Sequence, residues 1–303
     1  MSAPAVAAKP ESGSYIEDAI RLGKAGLRAT QHPLFLPITV ALISLLFLFW
    51  PMTRSLIGRW SQDEYYSHGF LVPFLAGYII YKRWPGFKDR PVRPSVWPIV
   101  PAVLFLPLLM VAYAGKSLAI LSVLFVVYTL LAIWFIAGKR WATALAPAVF
   151  FLLFALPAWN SFIDAATNPL QLASSKVAFQ ILQGMGFHPL QFDNQPTLIF
   201  LNSYQFEVAV ACSGMKLLLA VSCFTALFLL VGRLPAVGNL MMIILVLPLC
   251  LIMNGLRIAM IGMVGEYQGA SAAAQFHDWS GYIMLGICFV ILFKFARLFG
   301  WKD

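Results

Sequence analysis

Apolar residues in this chain come in long blocks rather than in stripes. From Leu34 onward, run after run has almost no polar residue on any face, as in helices surrounded by hydrocarbon on most sides. A bilayer core of about 30 Å requires about 20 apolar residues per helix. The runs predict eight spans: Leu34–Ile57, Gly69–Lys82, Trp97–Tyr113, Ser117–Ala137, Ala142–Pro157, Met215–Val231, Val237–Leu256 and Gly281–Phe299. The second is short, and the third carries Pro98, Pro101 and Pro107, which membrane helices tolerate when neighbours satisfy the freed carbonyls. The expected fold class is an all-α polytopic membrane protein of about eight transmembrane helices with a small extracytoplasmic insert.

That insert is Ala158–Ala211. Its first half has apolar residues at Phe162, Ile163, Ala166, Leu170, Ala173, Val177, Ile181 and Leu182, a spacing for a helix lying in the membrane interface and broken near Pro169. The second half predicts a β-hairpin, Thr197–Leu201 and Tyr204–Ala211 around a turn at Asn202-Ser203. On its second strand, Phe206, Val208, Val210 and Cys212 share one face. Residues 1–33 read as a cytoplasmic tail, with Lys9, Arg21, Lys24 and Arg28 but no short apolar core and small-residue cleavage site. Within it, Ser14–Leu27 fits a short amphipathic helix and a disordered segment equally well. Residues 34–303 form one transmembrane domain.

Charge sets the orientation. The N-terminal tail, the loop Lys82–Arg93, Lys139-Arg140, Arg233 and the C-terminal Lys294, Arg297 and Lys302 place fifteen basic residues on one side and leave six on the other. The positive-inside rule then puts both termini in the cytoplasm, which an even number of spans allows. Composition agrees with a membrane protein: 61% of the 303 residues are hydrophobic and 11% charged, and the mean hydropathy is +0.82. The formal charge of +9 does not mark a nucleic-acid surface, because the cations cluster at span ends, where they set orientation and meet lipid head groups.

Few residues are left that can carry chemistry. Cys223, Cys250 and Cys288 lie inside hydrophobic runs, where a thiolate is poorly solvated. Cys212 instead stands where a strand-like segment opens into the helix beginning at Met215, close to free backbone N–H groups that favour thiolate. Arg257, in Asn254-Gly-Leu-Arg257, reads first as an arginine snorkelling to the interface. Its place among the few outer-face cations, and Asn254 one turn earlier on the same side, raise a functional reading in which the guanidinium stabilises a thiolate or an oxyanion. His277, in Gln275-Phe-His-Asp-Trp-Ser-Gly281, is structural on its own, beside a belt tryptophan and the possible helix caps Asp278 and Ser280. Its functional reading is general acid and base. His68 competes for that role or contacts substrate, whereas His32 and His188 read as cytoplasmic and surface residues. No metal-ligand spacing and no paired carboxylates occur, so neither a metal nor another cofactor is expected.

The segments Ala211-Cys-Ser-Gly214, Asn254-Gly-Leu-Arg257-Ile, His277 with Gly281, and Trp60-Ser with Tyr66-Ser-His-Gly-Phe-Leu-Val-Pro73 resemble the exosortase/archaeosortase family, in that order. The resemblance covers Trp60 to Phe299 and implies a membrane-embedded cysteine transpeptidase with Cys212, Arg257 and His277 as its site and His68, Asn254 and Ser213 as auxiliary positions. It also implies a substrate class: exported proteins ending in a short motif such as Pro-Glu-Pro, a hydrophobic helix and a basic cluster. The site would then face the periplasm of a Gram-negative inner membrane. In archaeal relatives an arginine can replace the histidine, which leaves a strict general-base role for His277 open. A transporter would need ionisable groups near the bilayer midplane, and these are nearly absent. A non-catalytic scaffold would not need all three polar residues.

Overall fold

The computed structural model describes residues 35–232 and 234–301; the predicted tail, with Ser14–Leu27 and His32, lies outside them. Its helices are α1 (Phe35–Leu48), α2 (Trp50–Gln62), α3 (Val72–Arg83), α4 (Ile99–Leu104), α5 (Leu106–Ala114), α6 (Leu118–Ala137), α7 (Lys139–Phe151), α8 (Asn160–Gly184), α9 (Met215–Val231), α10 (Ala236–Gln268) and α11 (Ala270–Leu298). A small antiparallel sheet, ordered β1-β2-β3, comprises β1 (Leu190–Phe192), β2 (Gln195–Phe200) and β3 (Gln205–Glu207).

Among the described residues, four helical segments are long and apolar enough to cross a membrane: α6, α10, α11, and Val210–Val231, which joins a 3-10 turn to α9. The first predicted span is instead two helices, α1 and α2, bent by 84° about Phe49. Pro51, with no N–H to donate, stands in the first turn of the second helix. The third predicted span breaks at Phe105, just before Pro107, into α4 and α5. The fifth holds helix only to Phe151 and continues as a 3-10 turn. Apolar runs therefore located these segments, while prolines cut some of them into shorter helices.

Two helices are longer than expected. α10 passes the predicted end at Leu256 and continues to Gln268, with Pro248 held inside an unbroken helix. α11 begins at Ala270 rather than Gly281. The hairpin between them turns at Gly269, whose φ of +85° suits a residue without Cβ. α8 is likewise continuous from Asn160 to Gly184 with Pro169 inside it, so the break expected there is absent. The lost hydrogen bond at Pro169 is outweighed by the packing of Ile163, Leu170, Ala178 and Leu182, all buried.

The insert holds three strands rather than a two-stranded hairpin. The turn at Asn202-Ser203 is present: β2 and β3 pair with Phe200 opposite Gln205 and Leu198 opposite Glu207. The Ser203 N–H donates to the Glu266 carboxylate at 3.0 Å, which fastens this turn to α10. β3 ends at Glu207, and the chain then forms a 3-10 turn over Val210–Cys212. The expected common strand face of Val210 and Cys212 is therefore lost; Val210 is 56% exposed and Cys212 6%.

Glycines let these layers approach one another. A Cβ at Gly255 of α10 would overlap the Val177 side chain on α8, and one at Gly262 would lie 2.7 Å from the Phe206 ring. We expect Gly255→Val to destabilise the protein by about 1–3 kcal/mol through overpacking. The check is a lower thermal unfolding midpoint of the detergent-solubilised protein; an unchanged midpoint would show that α8 and α10 separate without cost.

Candidate functional site

Cys212 occupies neither a strand nor the first turn of a helix. It closes the Val210–Cys212 turn, and Gly214, with φ +89°, reverses the chain into α9. No side chain fits at that glycine, since a Cβ there would sit 2.9 Å from Asn254 Nδ2. The thiol thus hangs from a tight turn packed on both sides.

Buried polar groups hold that turn in place. Asn254 Nδ2 donates to the Cys212 carbonyl at 2.7 Å and to Ser174 Oγ at 3.0 Å. Ser174 Oγ in turn donates to the Ser213 carbonyl at 3.1 Å. One turn earlier on α8, Gln171 Nε2 donates to the Val208 carbonyl at 2.6 Å. Asn254, Gln171 and Ser174 are all buried, where an unpaired donor or acceptor would cost about 1–3 kcal/mol. Ser213, an auxiliary position in the sequence reading, points its hydroxyl at the Met215 N–H, accepting at 3.3 Å. Its role here is to cap the start of α9, one of the backbone donors left free at a helix beginning.

The sulfur faces α11. Cys212 Sγ and His277 Nε2 are 2.9 Å apart, within hydrogen-bonding reach. His277 lies inside α11, so Asp278 and Ser280 do not cap a helix start. Ser280 instead bonds Arg257: its hydroxyl accepts from Arg257 Nε at 3.1 Å. Arg257 Nη2 also donates to the His277 carbonyl at 3.0 Å. The guanidinium fixes the backbone that carries the imidazole. The guanidinium passes over Gly281, where an added Cβ would meet Arg257 Cζ at an ordinary contact distance of 3.6 Å. The Asp278 carboxylate approaches His277 Nδ1 only to 3.5 Å, and its side chain is 85% exposed. Such a contact is a weak orienter in water.

Helix length places these groups. At 1.5 Å per residue, about 30 Å of helix separates Arg257 from the start of α10, and about the same separates His277 from the end of α11. That is the thickness of a hydrocarbon core. Arg257 and His277 therefore share one level, about one hydrocarbon thickness from the far ends of their helices, and both helices run beyond it to the Gly269 turn.

His68 is in a different position. It lies in the 3-10 turn Glu64–Phe70, and no bond joins it to Cys212, Arg257 or His277 among the described residues. Burial pushes its imidazole pKa down, against an opposing contact from the Phe154 carbonyl. Its Nε2 is buried without a partner among the described residues. Next to the Cys212 turn, an open cleft of about 560 Å³ is lined by Arg59, Asp63, Glu64, Tyr65, Val210 and Ala211. Cys223, Cys250 and Cys288 are buried and unpaired within the helical core. Among the described residues, no cluster of His, Cys, Asp and Glu could hold a metal.

Reading the sequence missed Gln171, Ser174 and the cleft. The signal was present in α8, where Gln171, Ser174 and Ser175 recur at helical spacing on one face; it marks a buried polar stripe once that face is known to pack.

A thiol and an imidazole at 2.9 Å can exchange a proton and so form a nucleophilic sulfur with an acid beside it. Asn254→Leu should leave the Cys212 carbonyl unpaired and take from Ser174 Oγ the donor it accepts, lowering stability by about 1–3 kcal/mol. It should also slow alkylation of Cys212 by iodoacetamide, followed by mass spectrometry. Unchanged alkylation with a lowered unfolding midpoint would reduce the clamp to a purely structural part. Among proteins of known function and among solved structures, no similar chain is found. The profile of the transmembrane exosortases matches residues 60–294. That match takes in Cys212, Arg257 and His277, and the chain belongs to the transmembrane exosortase family.

Proposed function

We propose that this protein is a membrane cysteine transpeptidase that cuts the C-terminal sorting signals of exported proteins. The observation that carries this reading is the 2.9 Å contact between the buried Cys212 sulfur and His277 Nε2, on an imidazole whose backbone Arg257 holds. A sulfur this buried is poorly hydrated, so its nucleophilicity depends on a proton acceptor and on a fixed positive charge nearby.

His277 takes the Cys212 proton as the sulfur attacks the carbonyl carbon of the scissile peptide bond. The C–N bond breaks as the tetrahedral intermediate collapses, and the imidazolium returns the proton to the leaving amine. The thioester left on Cys212 is released by an amine or by water, and the proton returns to the sulfur through His277. Arg257 stabilises the developing negative charge and fixes the imidazole. No metal or cofactor takes part.

The substrates are exported proteins with a short C-terminal motif, a transmembrane helix and a basic tail. The membrane is a cell inner membrane, crossed eight times, with α3, the α4–α5 pair and α7 as the short crossings. Both termini lie in the cytoplasm and the site opens on the periplasmic face, in contact with lipid and not with nucleic acid. Fifteen of the basic residues on one side support this orientation.

The test is a secreted reporter ending in a Pro-Glu-Pro motif, an apolar helix and a basic tail, co-expressed with the full-length protein and followed by its shift in gel mobility. Cys212→Ala should abolish processing, while Cys223→Ala, Cys250→Ala and Cys288→Ala process normally. His277→Ala should slow processing by about a hundredfold or more. Equal processing by the Cys212→Ala protein would reject the reading.

A further inference from the structure

A second concavity, of about 420 Å³, opens between α9 and α10 away from the cleft beside Cys212. Phe154 and Trp159 line it, α10 contributes Ile243, and α9 contributes a face that includes Ser222, Thr225 and Ala226. Two features of that face are unusual. Ser222 and Ala226 are small residues one turn apart, the spacing that lets another membrane helix approach closely. Thr225 is 3% exposed, and its Oγ1 has no hydrogen-bond partner among the described residues. A buried hydroxyl without a partner in apolar surroundings costs free energy. Lipid tails have nothing to offer it, whereas a helix can present a polar side chain or a loosened carbonyl.

The groove is also aligned with the chemistry. Its α9 face runs from Leu218 to Leu229, about 16 Å of helix. It begins one turn below Gly214, on the helix that leads directly out of the Cys212 turn. A helix seated against this face would be held at a fixed depth relative to the thiol, with the residues preceding it delivered to the sulfur. We infer that the α9–α10 groove, with its Ser222/Ala226 face and the Thr225 hydroxyl, is the docking site for the transmembrane helix of the polypeptide substrate. This rests on the function proposed above, and it places the recognition of the apolar segment apart from the residues that cleave.

The experiment uses the full-length protein in membranes, with the photoreactive substitution Ile243→p-benzoylphenylalanine in a Cys212→Ala background that retains substrate, and the same reporter co-expressed. Illumination should give an adduct between this position and the reporter's apolar helix. The yield should fall about tenfold with Ser222→Ile/Ala226→Ile, which fills the groove, and about threefold with Thr225→Val, which keeps the volume and removes the hydroxyl. In the active background the double variant should lose cleavage to the same extent, with Cys212 alkylation unchanged as the sign of an intact site. Adducts with phospholipid alone, while the wild-type protein still cuts the reporter, would overturn the docking site and leave the enzyme reading standing. A reporter that crosslinks but is never cut would support the groove and remove the enzyme reading. A reporter neither crosslinked nor cut would remove both.

Discussion

The hydrogen bond from the Asn254 amide to the Cys212 carbonyl is the constraint on which the rest of the site depends. It joins the longest described helix to the turn carrying the sulfur, where both groups are buried and a missing donor would leave the carbonyl unpaired. Ser174 bonds both Asn254 and the next carbonyl, so α8, α10 and the turn are tied at one point. The left-handed glycine between that turn and α9 would be an ordinary loop residue elsewhere. Here the amide packed against it leaves room for no other side chain. The sulfur's direction follows, since a turn fixed at two successive carbonyls has little freedom left to point its thiol anywhere but toward α11.

The second requirement is a positive charge that is itself neutral in its bonding demands. Arg257 gives two of its five donors to Ser280 and to the His277 carbonyl, both on α11, so the helix it orders holds one edge of the fork. This anchors the arginine side chain to α11. It also makes the imidazole's position a property of helix packing, in contrast to hydrolase sites where a buried carboxylate does the orienting.

Much of this was legible in the sequence, for identifiable reasons. Long apolar runs mark α6, α9, α10 and α11 because helices among lipids need no polar face. Cys212 stood out by its place at the entry to a helix, whereas Arg257 and His277 each had an ordinary interfacial reading and joined it through the family resemblance. What stayed hidden depends on tertiary context. Prolines at 51 and 107 break helices while those at 169 and 248 do not, and only the packing around each decides. The 3-10 turn at Val210–Cys212 replaced a strand because the alternation of apolar residues cannot report a turn that another helix's amide stabilises. Gln171 and Ser174 were unremarkable in a sequence whose burial pattern was unknown.

The overhang of α10 and α11 beyond the level of Arg257 and His277 has a consequence for how the protein meets its membrane. Both groups sit on one hairpin closed at Gly269, so they keep their mutual register however that hairpin rides in the bilayer. The sulfur belongs to another element, anchored to the shorter α9. A thicker or thinner lipid phase would act on the two anchors unequally, loading the Asn254 tether before it disturbed the guanidinium and imidazole. Under such a load the composition of the bilayer would reach the geometry of the thiol.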